Sequence, residues 1–453
     1  MDLAAFDRVA TTFAAFHAQF APLFGRDETQ VHSEQYLRGL FVQHADRRNA
    51  ENLAEAIAGA SPRALQRFVT ASPWEDARVL TRLQRMVGAQ LSAPDGVWVL
   101  DDSGFPKQGT HSVGVGHQYC GQVGKVTNCQ TGVFLAYVSH RGHALVDARL
   151  YLPRAWIAEP ARCRAAGVPA ETPYQSKPEL GRQLLQTARE RGHLAGQWVT
   201  ADEAYGQIPS FRDALDDDGW WYVLEVPRTT PVFTTAAATA VPADSKRGRP
   251  PTKSRLVAGE PPPVPLEAVA AALAPTAWQP LTVAEGAQGP RTYEFATQRV
   301  WESRAGLPGR ACWALWRRNL DGSELKHYLS NAPADTPLLT LGRVASWRWP
   351  VETEFETLKQ EVGLDEYEVR GWRGWHHHIT MALLAGAFLL LLEQEWGEKH
   401  APGHAAADQP RAAGTAAPAG VDPTRLAPVA RHDASPQRGR QTLPYQSTPF
   451  TVL

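Results

Sequence analysis

Cysteines and long apolar runs are scarce in this chain of 453 residues. The four cysteines form no Cys-x-x-Cys pair, which argues against a zinc site and a disulfide scaffold. The longest apolar stretch, residues 379–392, is shorter than the roughly 20 residues of a membrane-spanning helix. The N-terminus lacks the basic and apolar segments of a secretory signal. We therefore expect a protein of the reducing cytoplasm with no membrane partner.

An excess of positive charge is also missing. The chain has 46 Lys and Arg against 47 Asp and Glu, a net charge of −1. Any contact with nucleic acid must therefore depend on local charge. One stretch without acids provides it, and its basic residues are Lys246, Arg247, Arg249, Lys253 and Arg255. We expect Lys246, Arg247 and Arg249 to contact phosphates, and Arg247-Gly248-Arg249-Pro250 also resembles the core of an AT-hook.

Five segments differ in composition and periodicity, and the length suits two or three domains. Residues 1–92 show apolar residues at helical spacing, which predicts an all-helical N-terminal domain that either binds DNA ends or only packs. Residues 93–228 alternate strands and helices, and residues 229–336 predict a β-rich insertion with a basic linker. Residues 337–397 predict the C-terminal helices of the core. The Ala- and Pro-rich residues 398–453 predict a disordered tail.

The order of elements in residues 93–228 predicts an α/β (α+β) fold with a ribonuclease-H-like core. In that fold three antiparallel strands precede alternating helices and strands, and the first and fourth strands are neighbours at the centre of the sheet. Asp102 ends the first predicted strand and Asp202 ends the fourth. We therefore expect these two carboxylates to meet. The predicted strands cover residues 97–101, 129–139, 144–151, 197–201 and 220–226, with helices over 178–191 and 208–215.

A third carboxylate is expected on a later helix that starts near Pro350, a residue that suits the first helical position. Glu352 flanks the predicted core face and is the first choice, Glu356 is the reserve, and Glu354 lies on the opposite flank. At about 100° per residue, the core face consists of Val351, Phe355, Leu358 and Val362.

The chemistry that these acids predict is metal-dependent phosphoryl transfer. Carboxylate oxygens are the ligands that Mg²⁺ prefers, and two such ions can hold the attacking and leaving oxygens of a phosphodiester. We expect Asp102, Asp202 and Glu352 to be catalytic and to bind two Mg²⁺ ions, with Mn²⁺ as a substitute. Arg348 and Lys359 flank Glu352 and are expected to bind the DNA backbone.

Several motifs resemble the DDE transposases of the IS701 insertion-sequence group, which lie near the IS4 group among the DDE superfamily endonucleases. The resemblance covers most of the chain outside the tail and part of the insertion. It implies a ribonuclease-H-like fold with a β-rich insertion before the final glutamate. The residues that carry it are Asp101-Asp102-Ser103-Gly104-Phe105-Pro106-Lys107, residues 111–115 and 118–126, Ala201-Asp202-Glu203-Ala204-Tyr205-Gly206, Glu352 and residues 372–378.

Related transposases carry a signature of Tyr, two residues, Arg, three residues, Glu, six residues and Lys. Arg348, Glu352 and Lys359 keep this spacing, but Ala345 stands at the tyrosine position. The ring is therefore missing or supplied elsewhere, with Trp347 and Trp349 as candidates. The resemblance favours Asp102 over its neighbour Asp101 as the ligand, because an acidic residue precedes the catalytic aspartate in related enzymes.

The resulting hypothesis is a bacterial, nucleoid-associated DDE transposase. Water first attacks the phosphodiester at each element end, and the freed 3′-hydroxyl then attacks target DNA. The expected partners are double-stranded DNA, as terminal inverted repeats and target, and a second copy of the chain. One alternative is a transposase-derived DNA-binding regulator without catalysis, and another is a metal-independent glycosidase. His376, His377 and His378 are interpreted as polar residues close to DNA, since consecutive histidines on a helix cannot share one ion.

Overall fold

The computed structural model describes residues 3–42, 47–242, 252–286 and 289–397. The predicted disordered tail and the basic residues Lys246, Arg247 and Arg249 lie outside them. The segment before the first strand is helical, as the apolar spacing predicts. Ser61 caps its fourth helix by accepting a hydrogen bond from the Ala64 amide at 3.2 Å. The helices are α1 (Leu3–Ala18), α2 (Asp27–Phe41), α3 (Ala50–Ala56), α4 (Pro62–Thr70) and α5 (Asp76–Leu91).

A core of paired strands follows, in the spatial order β4–β3–β1–β5–β6. β1 pairs antiparallel with β3 and parallel with β5, and β5 pairs parallel with β6. This is the ribonuclease-H-like order. The predicted fourth strand is β5, because β2 was not expected from the sequence, and its pairing with β1 confirms that the first and fourth predicted strands are neighbours. The strands are β1 (Val97–Pro106), β2 (Gly116–Cys120), β3 (Lys125–Ser139), β4 (Gly142–Leu150), β5 (Trp198–Ala201) and β6 (Trp221–Glu225).

Helices cover both faces of this core. α8 packs against β1 so closely that a Cβ on Gly181 would lie 2.9 Å from the Leu100 side chain. On the other face, Phe355 of a later helix, residues 349–362, packs edge-on against Phe134 of β3, with ring centroids 5.0 Å apart. The helices after the first four strands are α6 (Arg154–Ile157), α7 (Pro160–Ala165), α8 (Lys177–Arg191), α9 (Glu203–Gly206) and α10 (Pro209–Asp217).

The insertion is β-rich, as predicted, and it extends the core sheet. Its last strand, β14, pairs antiparallel with β6, and a small apolar cluster of its own includes Val300 and Trp316. A buried ion pair between Arg212 of α10 and Glu302 of β12, with two contacts of 3.1 Å, joins it to the core. Its elements are β7 (Pro231–Phe233), β8 (Thr239–Ala240), β9 (Arg255–Leu256), β10 (Val264–Pro265), α11 (Leu266–Ala272), β11 (Gln279–Gly286), β12 (Gly289–Arg304), β13 (Leu307–Arg318) and β14 (Lys326–Ser330).

The chain returns to the core through α12 (Leu338–Ser346), α13 (Trp349–Val362) and α14 (Trp372–Gly397). α14 is long and apolar enough to cross a membrane, but 89% of its most apolar 18-residue window is buried inside the protein. The Phe388 ring on α14 packs against Phe13, Phe16 and Phe41 of the N-terminal helices, with centroids 5.2–5.4 Å apart. α14 therefore packs against both the N-terminal helices and the sheet, and the three share one hydrophobic core.

The interpretation of the histidine run as DNA-proximal is wrong. His376, His377 and His378 are 7%, 2% and 0% exposed. The His377 ring stacks on Trp74, with centroids 3.5 Å apart, and His378 Nδ1 lies 2.9 Å from the Tyr36 hydroxyl. The histidines thus connect α14 to the N-terminal helices. Helical spacing alone could not distinguish a solvated face from a face covered by another domain.

Stability should fall as the pH drops from about 6.5 to 4, because burial lowers the pKa of His377 and of His378 to about 4. The unfolded chain takes up these protons near the ordinary value of about 6.5. Each histidine should therefore lower the free energy of unfolding by up to roughly 3 kcal/mol as the pH falls from 6.5 to 4, because only the unfolded chain binds the proton in this range. Thermal unfolding of His377→Gln between pH 7.5 and 5 should show a shallower dependence on pH than wild type. A slope as steep as that of wild type would contradict this, and exposed His111→Gln serves as the control.

Candidate active site

Acids from distant parts of the chain lie side by side where the parallel pairing of β1 with β5 ends. The expectation that Asp102 ends the first strand is wrong, because β1 continues to Pro106 in its pairing with β3. The two strands are parallel, and Leu100 lies opposite Ala201 in their register. The next residues, Asp101 and Asp202, therefore occupy equivalent positions at the same edge of the sheet, and Asp102 follows one residue later. Because side chains alternate along a strand, Asp101 and Asp102 point to opposite faces.

Asp202 lies where β5 turns into α9 and acts as the cap of that helix. Its Oδ1 accepts hydrogen bonds from the amides of Ala204 at 3.0 Å and Tyr205 at 3.4 Å. Burial raises the pKa of Asp202, and the negative charge of Asp102 raises it further. These hydrogen bonds fix the Asp202 carboxylate next to β1, and both use Oδ1 rather than Oδ2.

Asp101 faces α13 and is linked to Glu352 by one guanidinium group. Arg348 Nη1 lies 3.2 Å from Asp101 Oδ2, and Nη2 lies 2.5 Å from Glu352 Oε1. Burial raises the pKa of Asp101 to about 7, although the charge of Arg348 acts to lower it. Burial works against the charged form of Arg348, yet Asp101 and Glu352 raise its pKa. Arg348 thus provides the positive charge that lets these acids lie together.

Asp102 faces α8 and receives a different cation. Lys177 Nζ lies 2.8 Å from Asp102 Oδ2, and the Tyr205 hydroxyl donates to Asp102 Oδ1 at 2.5 Å. The Tyr205 ring is 1% exposed, so its orientation is fixed by packing. Both oxygens of Asp102 therefore already have donors from the protein.

The predicted geometry of α13 is confirmed. Glu354 lies on the opposite flank, as expected, where its Oε2 is 3.5 Å from His143 Nε2 on β4. Glu352 and Glu356 are exposed at the rim of the site. Lys359 is half-buried, and burial lowers its pKa while the nearby acids, Asp101 among them, raise it. The buried face consists of Val351, Phe355, Leu358 and Val362, as predicted.

Trp349 is the exposed aromatic residue at the start of α13. Ala345 and Trp347 are 5% and 7% exposed, whereas Trp349 is 43% exposed. The guanidinium of Arg291, from β12 of the insertion, stacks 3.1 Å above the centroid of the Trp349 ring. Of the two tryptophans considered as substitutes for the signature tyrosine, only Trp349 is accessible to a ligand.

The donor chemistry of the site fits hard divalent cations, since its ligands are carboxylate oxygens. In the part of the chain that the structure describes, however, no three His, Cys, Asp or Glu side chains converge on one point. The reason is visible in the ion pairs, because Arg348 stands between Asp101 and Glu352 and Lys177 holds Asp102. The acids are assembled around protein cations, which a bound metal ion would have to displace.

Sequence reasoning missed Lys177 and Tyr205. The signal for Tyr205 was its position three residues after Asp202, on the helix that Asp202 caps. The signal for Lys177 was the pattern Ser176-Lys177-Pro178-Glu179, a capping box that puts a cation at the start of a helix, where the helix dipole disfavours it.

Comparison with known proteins gives two similarities. The family described as DDE superfamily endonuclease matches residues 19–290, which include Asp102 and Asp202 but end before Glu352. A probable transposase for insertion sequence element IS701, from Microchaete diplosiphon, is 23% identical over 193 residues, or 42% of this chain. The match spans about half of that relative, 48% of its length.

Removing the charge of Arg348 should destabilise the fold. In Arg348→Met, the buried Asp101 carboxylate loses its positively charged partner. Because a buried ion pair that loses one partner leaves an uncompensated charge, we expect the free energy of unfolding to fall by about 3 kcal/mol. The double variant Asp101→Asn/Arg348→Met should recover part of this loss. Chemical denaturation of the double variant and of both single variants, Arg348→Met and Asp101→Asn, measures the coupling. A loss in the double variant equal to the sum of the two single losses would show that the pair is not coupled.

Proposed function

Because the chain belongs to the DDE superfamily endonucleases, we propose that it is a transposase that cuts and joins DNA at insertion-sequence ends. The observation that carries the proposal is that Asp101, Asp102 and Asp202 lie directly after the point where the pairing of β1 with β5 ends, with Glu352 linked to Asp101 by Arg348. These residues lie up to about 250 positions apart in the chain, and packing alone gives no reason to collect like charges there.

Asp102, Asp202 and Glu352 are proposed to hold two Mg²⁺ ions, with Mn²⁺ as a substitute. Such ions would supply a nucleophilic water and stabilise the charge that develops on the phosphodiester. Asp101 is the alternative to Asp102. The register with Asp202 and the shared guanidinium with Glu352 favour Asp101, whereas the resemblance to related transposases favours Asp102.

The surrounding cations are proposed to orient DNA. Arg348 can bind two phosphate oxygens through its planar fork once it leaves Glu352, and Lys359 adds a point charge on the same helix. Lys246, Arg247 and Arg249 would add backbone contacts from the insertion. The first reaction is attack of water on the phosphodiester at each element end, which releases a 3′-hydroxyl. That hydroxyl then attacks target DNA in a transesterification.

The partners follow from this reaction. The N-terminal helices, residues 1–92, are proposed to read the terminal inverted repeats, and two copies of the chain are needed to hold two ends. We place the protein in the bacterial cytoplasm, associated with the nucleoid. The second candidate is a DNA-binding regulator without catalysis, which the cations seated on Asp102 and Glu352 favour. A regulator binds element ends but does not nick them in Mg²⁺ or Mn²⁺.

Loss of one acid should abolish cleavage while binding persists. We expect Asp102→Ala, Asp202→Ala and Glu352→Ala each to lower Mg²⁺-dependent nicking of an element-end duplex by more than about 100-fold, because a metal ligand is lost. Gel-shift affinity should change little. Asp101→Asn run in parallel identifies which neighbour is the ligand, and Asp218→Asn, paired with Arg182 on α8, is the control. Strong residual nicking by Asp202→Ala or Glu352→Ala would rule out the proposed site.

A further inference from the structure

Lys177 is the unassigned cation of the acid cluster. Its ammonium lies 2.8 Å from Asp102 Oδ2 and 5.7 Å from the centroid of the Tyr151 ring. The Lys177 side chain is 30% exposed and that of Asp102 is 20% exposed. The pair is therefore open to solvent on one side, and the ammonium can leave Asp102 without unfolding its surroundings.

The position of Lys177 in its helix is electrostatically unfavourable. It is the first residue of α8, directly after the cap Ser176. Unpaired amides at the start of a helix attract negative charge and repel cations. The negative charge of Asp102 offsets the repulsion between the Lys177 ammonium and the start of α8. Any anion that approaches the same helix end, such as a DNA phosphate, would offer the ammonium a second partner in a more favourable setting.

We propose that Lys177 is the exchangeable counter-ion of Asp102 and couples the loading of divalent metal to the binding of DNA. Without DNA, the ammonium neutralises Asp102 and competes with a divalent cation for that carboxylate. A backbone phosphate of bound DNA takes over the ammonium, and Asp102 becomes free to bind the metal ion. This inference rests on the proposed function, because it takes Asp102 as a metal ligand.

Two requirements of this exchange are present at the site. Tyr205 holds Asp102 Oδ1 at 2.5 Å through a neutral hydroxyl, so the carboxylate stays in place when Lys177 leaves. Arg348 pairs with Asp101 and Glu352 and does not contact Asp102. Lys177 is therefore the only described cation in direct contact with the Asp102 oxygens.

The test measures binding of Ca²⁺, a non-catalytic probe, by isothermal titration calorimetry with and without duplex DNA from the region flanking the gene. Because binding of one ligand then favours the other, wild type should bind Ca²⁺ more tightly when DNA is present. Lys177→Met and Lys177→Gln should bind Ca²⁺ roughly 10-fold more tightly than wild type without DNA, and DNA should add little.

Two variants serve as controls. Arg182→Met removes a cation from the same helix that pairs with Asp218 at 2.6 Å, outside the acid cluster, and should leave Ca²⁺ affinity unchanged. Lys177→Arg keeps the charge and should retain most of the response to DNA. If Lys177 had only a structural role, its substitution would change the free energy of unfolding but not the coupling between Ca²⁺ binding and DNA binding.

The outcomes separate the two proposals. Unchanged or weaker Ca²⁺ binding by both Lys177→Met and Lys177→Gln overturns the counter-ion, even if wild type cleaves DNA in Mg²⁺. Wild type that neither binds Ca²⁺ in the presence of DNA nor nicks DNA overturns the proposed function, and the counter-ion with it. Tighter binding in both variants together with a lost response to DNA supports the exchange.

Discussion

The site depends on protein cations that neutralise the carboxylates gathered beside β1. Burial and the charge of neighbouring carboxylates raise the pKa of Asp101 and of Asp202. Arg348 and Lys177 offset that repulsion from opposite faces of β1. A purely structural sheet has no use for such a cluster, since apolar residues would pack there at lower cost.

The fold makes the cluster possible because the parallel pairing of β1 with β5 stops at Leu100 and Ala201, directly before the aspartates. α13 then brings Glu352 to that edge, and its buried face holds the helix against the sheet. α14 secures the arrangement from behind, since its histidines and Phe388 bind the N-terminal helices to the core. The insertion touches the site as well, through Arg291 on Trp349. Each segment of the described chain thus contributes to where the acids lie.

Local patterns predicted the elements well, and topology predicted the meeting of strands one and four. The alternation in residues 93–228 indicated the strand order, and the helical spacing after Pro350 predicted which side chains of α13 are buried. Three features needed the structure. The side chain that a strand presents to each face depends on register, so Asp101 and Asp102 could not be distinguished from sequence. The burial of His376–His378 depends on a domain that packs from about 300 residues away. The partnership of Lys177 with Asp102 is a long-range ion pair that no spacing encodes.

Divalent ions should replace protein cations on these carboxylates. Crystals soaked in Mn²⁺ and measured at the manganese absorption edge would reveal the exchange. We expect anomalous peaks about 2.2 Å from carboxylate oxygens of Asp202, Glu352 and one of the Asp101–Asp102 pair, with the Arg348 guanidinium moved away from Glu352. Anomalous peaks only at other acids, with Arg348 still bridging Asp101 and Glu352, would contradict it.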